Sequence, residues 1–183
     1  MNSSIIGKIE KARRYTYEPE RFQLAALAAT FRGEHDRYEL TLADGAWRCS
    51  CHFFAAHDTC AHIMATQRLL AAMLPATARY EHTALSTSLG SGQIGKIDKV
   101  RRYTEEPDRL TIASLKATFR GSNGDHLLTI AAGSWHCACD FSTAHDTCAH
   151  VMAAQRILAS MLPETARYEY TALSTAALAT AGA

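Results

Sequence analysis

The sequence predicts an α+β protein made of two homologous small domains, each a helix, a three-stranded antiparallel sheet and a second helix. Three observations carry this prediction. Residues 7–88 align with residues 95–176 without a gap and with the same residue at most positions, so the chain is an internal duplication. Each copy passes from a helical apolar period to a period of two and back again. Each copy also carries one group of three cysteines and a histidine, Cys49, Cys51, Cys60, His62 and Cys137, Cys139, Cys148, His150, between its last strand and its last helix. The domains are expected at 1–88 and 95–176, with a linker at 89–94 and a tail at 177–183. The join Ser86-Thr87-Ser88-Leu89-Gly90-Ser91-Gly92-Gln93 is polar and small, which suits two beads on a short tether. A unit of roughly 80 residues lies near the size at which a hydrophobic core alone is marginal and a metal staple is a common supplement.

Taken in order, residues 5–17 form a helix with Ile5, Ile9 and Ala12 at i, i+4, i+7, ending before Pro19; the second copy keeps Ile97 and Val100 and stops before Pro107. A first strand follows. It is clearest as Leu110, Ile112, Ser114, Lys116, Thr118 on one face against Thr111, Ala113, Leu115, Ala117, Phe119 on the other, up to Gly121. A second strand is expected around residues 38–42, and Asp44-Gly45 is a tight-turn signal before a third strand, Ala46-Trp47-Arg48-Cys49. Asp58 or Thr59 then caps a helix that runs to about Leu74 and is stopped by Pro75, with Ile63, Leu70, Met73 and Leu74 on its apolar face.

An even number of cysteines in a short chain can signal a disulfide framework. Here they fall in two groups of three, which leaves an odd thiol in each group, and an odd group suits a metal with histidine as fourth ligand. One residue separates Cys49 from Cys51 and Cys60 from His62, and the second copy repeats the spacing. Four such ligands match tetrahedral zinc, two ions per chain. The first pair would leave the end of the third strand and the second pair would sit in the first turn of the helix, so zinc would join sheet to helix. The helix N-terminus would also favour the thiolate form. A closed set of four protein ligands leaves no position for water or substrate, so the expected role is structural rather than catalytic. Reduced core cysteines and a thiol redox switch are the alternatives at this level.

The pattern CxC, a loop, then CxH resembles the signature of the SWIM zinc-finger, and both copies match it, over residues 47–71 and 135–159. The resemblance implies a binding module. SWIM modules accompany ATPase, transposase, recombination or ubiquitin-ligase-like regions, where roles in DNA or protein binding are proposed; no such companion is recognisable in this chain.

Several other residues are weighed against plainer roles. His57 and His145 lie beside the sites and are expected to be polar loop or supporting side chains; His52 is Asp140 in the other copy, which excludes a shared ligand role. Trp47 and Trp135 are read as core rather than as base-stacking platforms. Leu27 and Leu115 fit a core or an interface. The best nucleic-acid or partner contacts are Lys8, Lys11, Arg13 and Arg14 with Lys96, Lys99, Arg101 and Arg102, extended by Arg32, Arg120, Arg79-Tyr80 and Arg167-Tyr168. Acidic residues accompany each cluster, and a solvated mixed-charge surface explains them equally well. The formal net charge is +1. A dication with three thiolates carries −1, so two loaded sites bring the chain to about −1, a weak basis for a polyanion binder.

No apolar stretch reaches the ~18 residues of a membrane span, and the first residues lack the features of a secretory signal, so a soluble, cytoplasmic protein is expected. No phosphate loop, nucleophile motif or spaced carboxylate pair is present, so no enzyme and no small-molecule substrate are predicted. The sequence reading is a non-enzymatic tandem zinc module for macromolecular interaction, as an adaptor within a protein complex or on DNA or RNA. The alternative is a redox-responsive zinc–thiolate protein.

Overall fold

The computed structural model describes residues 3–79 and 91–167. In the first copy α1 spans Ser3–Tyr15, β1 Phe22–Arg32, β2 Arg37–Ala43, β3 Ala46–Cys49, α2 His52–His57 and α3 Ala61–Leu69. In the second, α4 spans Ser91–Glu105, β4 Leu110–Gly121, β5 Gly124–Ala131, β6 Ser134–Cys137, α5 Asp140–His145 and α6 Ala149–Ile157. Residues 89 and 90 of the expected linker, and the whole tail, lie outside the described residues; residues 91–94, expected as linker, instead begin α4.

The two three-stranded sheets expected from the repeat are halves of one six-stranded antiparallel sheet, in the order β3-β2-β1-β4-β5-β6. Two separate sheets would each leave a long first strand with an unpaired edge, and β1 and β4 satisfy each other's edges instead. Their register places Leu27 opposite Leu115, which are equivalent residues of the two copies, so the repeats are related by a local two-fold passing between these leucines. Both are buried, which makes them core at the junction of the two halves.

The register also corrects the strict period of two read from β4. Each long strand has an irregularity, near Ala25 on β1 and near Ala113 on β4. Before it, Phe22 and Leu24, or Leu110 and Ile112, point inward; after it, Leu27, Ala29 and Phe31, or Leu115, Ala117 and Phe119, do so. One extra residue flips the phase, so both apolar sets face one core. On the other face Thr41, Arg48, Thr111 and Lys116 are exposed.

The helices are exchanged between the copies. α1 packs against α6 of the second repeat, and α4 against α3 of the first. Ala12 and Tyr15 on α1, and Val100 and Tyr103 on α4, are buried by this exchange. The half-buried Trp47 and Trp135 belong to the core, and their indole N–H groups donate to the carbonyls of Ala78 and Ala166 at 2.9 Å.

The β2–β3 turn has Asp44 at φ 51° and Gly45 at φ 77°, and the β5–β6 turn has Ala132 at φ 49° and Gly133 at φ 79°. Aspartate tolerates the left-handed region better than alanine does. Ala132→Asp, which copies the first repeat, is therefore expected to raise the unfolding free energy by up to about 1 kcal/mol, read as a higher denaturant midpoint at unchanged slope.

Candidate metal centres

Each centre is assembled from three local structures. Cys49 is the last residue of β3, and Cys51 caps α2, its sulfur accepting from the Phe54 N–H at 3.4 Å. Cys60 caps α3 and accepts from the Ile63 N–H at 3.5 Å. His62 is in the first turn of α3. The capping residue is thus Cys60, one of the candidate metal ligands, and not Asp58 or Thr59; Asp58, at φ 53°, instead closes α2 in the left-handed conformation. The loop between the ligand pairs holds a six-residue helix that the repeat pattern did not announce. In the second copy Cys137 ends β6, Cys139 precedes α5, and Cys148 caps α6 with its sulfur accepting from Val151 N–H at 3.4 Å.

The ligand atoms of Cys49, Cys51, Cys60 and His62 lie within 4.8 Å of one another, as do those of Cys137, Cys139, Cys148 and His150, and all eight residues are buried. The histidines present Nδ1: it lies 3.7 Å from Cys49 Sγ in one cluster and 3.6 Å from Cys137 Sγ in the other. A tetrahedral site with metal–sulfur bonds of about 2.3 Å has edges of about 3.5–3.8 Å, which the cysteine–histidine edge of each cluster matches. All six thiols are free of disulfides.

In each cluster the strand-end cysteine and the capping cysteine share a hydrogen bond, which favours one thiolate between them and disfavours a second. A hydrogen bond from Cys60, above all, holds Cys49 at about 4, while Cys60, sharing that bond, is pushed up. In the second cluster the hydrogen bond from Cys137 holds Cys148 at about 3, and Cys137 is pushed up. Burial raises Cys51 and Cys139. A bound dication would supply the charge that lets the remaining thiols ionise.

Aromatic rings fix the ligand histidines. His62 stacks on Tyr38 with centroids 4.3 Å apart and lies 5.3 Å from Phe31 and 5.8 Å from Tyr103. His150 stacks on His126 at 4.7 Å and lies 4.5 Å from Phe119 and 5.9 Å from Tyr15. Tyr103 and Tyr15 are carried by the helix of the opposite repeat, so each centre is completed in part by the other half of the chain. The sequence reading missed these rings. Their one visible signal is that Tyr15 and Phe31 recur unchanged as Tyr103 and Phe119.

The other candidates are dispersed. His57 and His145 are exposed, outside the ligand sets, and stack on Phe53 and Phe141; His52 is exposed at the start of α2. Lys8 and Lys11 line a cleft above the second cluster, and Lys96 and Lys99 one above the first. Lys96 Nζ lies 3.1 Å from the Phe53 centroid. Glu34 accepts from Lys99 and Arg102, both at 2.9 Å, and the Lys99 bond chiefly holds its carboxyl below the usual range. Arg101 pairs with Glu105 at 3.4 Å, and Arg13 and Arg14 are exposed. Arg32 pairs with Asp108, and Arg120, Arg79 and Arg167 donate to the backbone carbonyls of Glu20, Leu74 and Leu162. Tyr80 and Tyr168 lie outside the described residues.

Comparison with family models, curated proteins and solved structures returns no match for this chain.

Proposed function

We propose that the chain is a non-enzymatic module for macromolecular interaction, stapled by two structural zinc ions and of SWIM type. The observation that carries the reading is the pair of buried Cys3His clusters, each with four ligand atoms already gathered from a strand end and two helix starts. Zinc is favoured by three soft sulfurs, one imidazole and tetrahedral spacing. Four protein ligands close the site to substrate, which supports a role in shaping surfaces. The open face of the six-stranded sheet, with Thr41, Arg48, Thr111 and Lys116 exposed, is a broad surface of that kind. Reduced cysteines suit a cytoplasmic setting, and among the described residues no helix is long and apolar enough to cross a membrane. Burial of all six sulfurs works against oxidant access and so against the redox alternative.

Two measurements test the reading. Metal analysis of the purified chain is expected to give two zinc ions, falling to one in Cys148→Ser; a full set of folded, metal-free chains would sink it. Affinity purification from the native cell, with and without nuclease, separates the partner classes. A partner retained after nuclease and at high salt supports the protein adaptor. Loss on nuclease treatment, with weakening in Arg13→Glu/Arg14→Glu, supports nucleic acid. Absence of any partner in both conditions defeats the interaction role.

A further inference from the structure

The clefts above the two candidate metal centres are built alike but place their one lining carboxylate differently. Each is roofed by the first helix of the opposite repeat, which brings equivalent cations: Lys96, Lys99 and Arg102 on α4, and Lys8, Lys11 and Arg14 on α1. Above the first centre, Glu34 on the β1–β2 turn takes two of the three cations into direct ion pairs. The equivalent of Glu34 in the second repeat is Ser122. It accepts a hydrogen bond from Lys11 Nζ at 2.6 Å and brings no charge. Lys8 Nζ lies 4.6 Å from the centroid of Phe141. Among the described residues neither lysine forms an ion pair, Asp140 on the cleft wall included, and Arg14 has none either.

A loaded metal–thiolate centre would carry −1 beneath each cleft alike, so it does not explain the difference. The difference is where the carboxylate stands: Glu34 pairs with the cations of the first cleft, whereas the carboxylate of the second is Asp140, in the place of His52, and it pairs with neither lysine. The second cleft, of about 470 Å³, is large enough for a small ligand. Its mouth adds two neutral donors, Ser122 and Asn123, beside the two ammonium groups. Two unpaired point charges and two neutral donors match a tetrahedral dianion, for which lysine is an established partner.

We propose that the cleft formed by α1 and the β4–β5 turn above the second metal centre binds a phosphate dianion, free or as the monoester of a small molecule. Lys8 and Lys11 pair with it, Ser122 and Asn123 donate to it, and Glu34 takes the equivalent place in the first cleft.

The test is calorimetric titration of the full, metal-loaded chain with inorganic phosphate and with phenyl phosphate at low ionic strength. One equivalent is expected for whichever binds, and tighter binding of one identifies free phosphate or a monoester as the source. Lys8→Ala and Lys11→Ala are each expected to weaken binding about tenfold or more. Ser122→Glu, which copies the first repeat, is expected to abolish it while leaving the melting curve unchanged. No binding of either probe overturns the proposal, and so does binding that survives Ser122→Glu. Binding through Lys8 and Lys11 of an oligonucleotide without terminal phosphates, in place of both probes, overturns it as well.

Discussion

Chelation of the metal is expected to unfold both halves of the chain in one transition. Each cluster places three sulfurs and an imidazole in the interior, where they join the end of one strand to the starts of two helices. Without a cation to offset them, thiolates gathered so closely repel one another, and their protonated forms leave the caps of α3 and α6 with weaker acceptors. Binding free energies of structural zinc reach about 10–16 kcal/mol in finger peptides, which is as large as the whole stability of an ordinary domain. The loss is expected to spread. α1 packs on α6 and α4 on α3, so freeing one centre removes the seat of the opposite repeat's first helix. Far-UV circular dichroism, followed during titration with a chelator, should show helix and sheet lost together with metal release. Cys60→Ser should lower the thermal midpoint of the whole chain, and not of one half alone. A chelated chain that keeps its native melting curve, or two separated transitions with one assigned to each repeat, would contradict this account.

What was legible in the sequence follows what is local. The duplicated cysteine and histidine spacing announced both ligand sets because one loop and one helical turn bring those residues together. The Asp44-Gly45 turn was legible because its backbone needs positive φ at two successive positions. Three features escaped for physical reasons. The pairing of β1 with β4 joins edges that lie far apart in the chain, and a repeat compared with itself holds no information about pairing between copies. The irregularities near Ala25 and Ala113 are carried by alanine, whose small side chain gives no strong inward or outward signal. The exchanged helices were hidden because the apolar face carrying Ala12 and Tyr15 says that α1 is buried but not against which half. The basic residues read as two clusters are divided by that exchange, and Glu34, unremarkable in sequence, neutralises two of them.

The same exchange governs the second large effect, the separation of the repeats. A fragment of residues 1–88 is expected to form no folded monomer, contrary to what two independent beads would do. It would lose β4, leaving the long edge of β1 open with Phe22, Leu27 and Phe31 beside it, and it would lose α4, whose Tyr103 approaches both Phe31 and His62. A second copy of the same fragment restores each of these. The local two-fold permits it, because Leu27 would face Leu27 where it now faces Leu115, and Tyr15 of one copy would take the place of Tyr103 over the other. Charge favours this dimer: Lys11 of each copy would meet Glu34 of the other, as Lys99 does in the intact chain. The corresponding dimer of residues 89–183 would set Lys99 against Ser122 and lack that pair. Packing is nearly conserved in the first dimer, except that Phe22 would replace Leu110 opposite Phe31, an enlargement costing about 1–3 kcal/mol. The expected result is therefore a dimer of fragment 1–88 by sedimentation, with a melting temperature that rises with protein concentration. Equimolar mixing with fragment 89–183 should shift the population to the heterodimer, which regains the native Phe31 and Leu110 pairing. A monomeric, cooperatively folded fragment at micromolar concentration would show that the six-stranded sheet is dispensable. Formation of the dimer would show that the duplicated chain holds, in covalent form, an interface that a single repeat can build with its own copy.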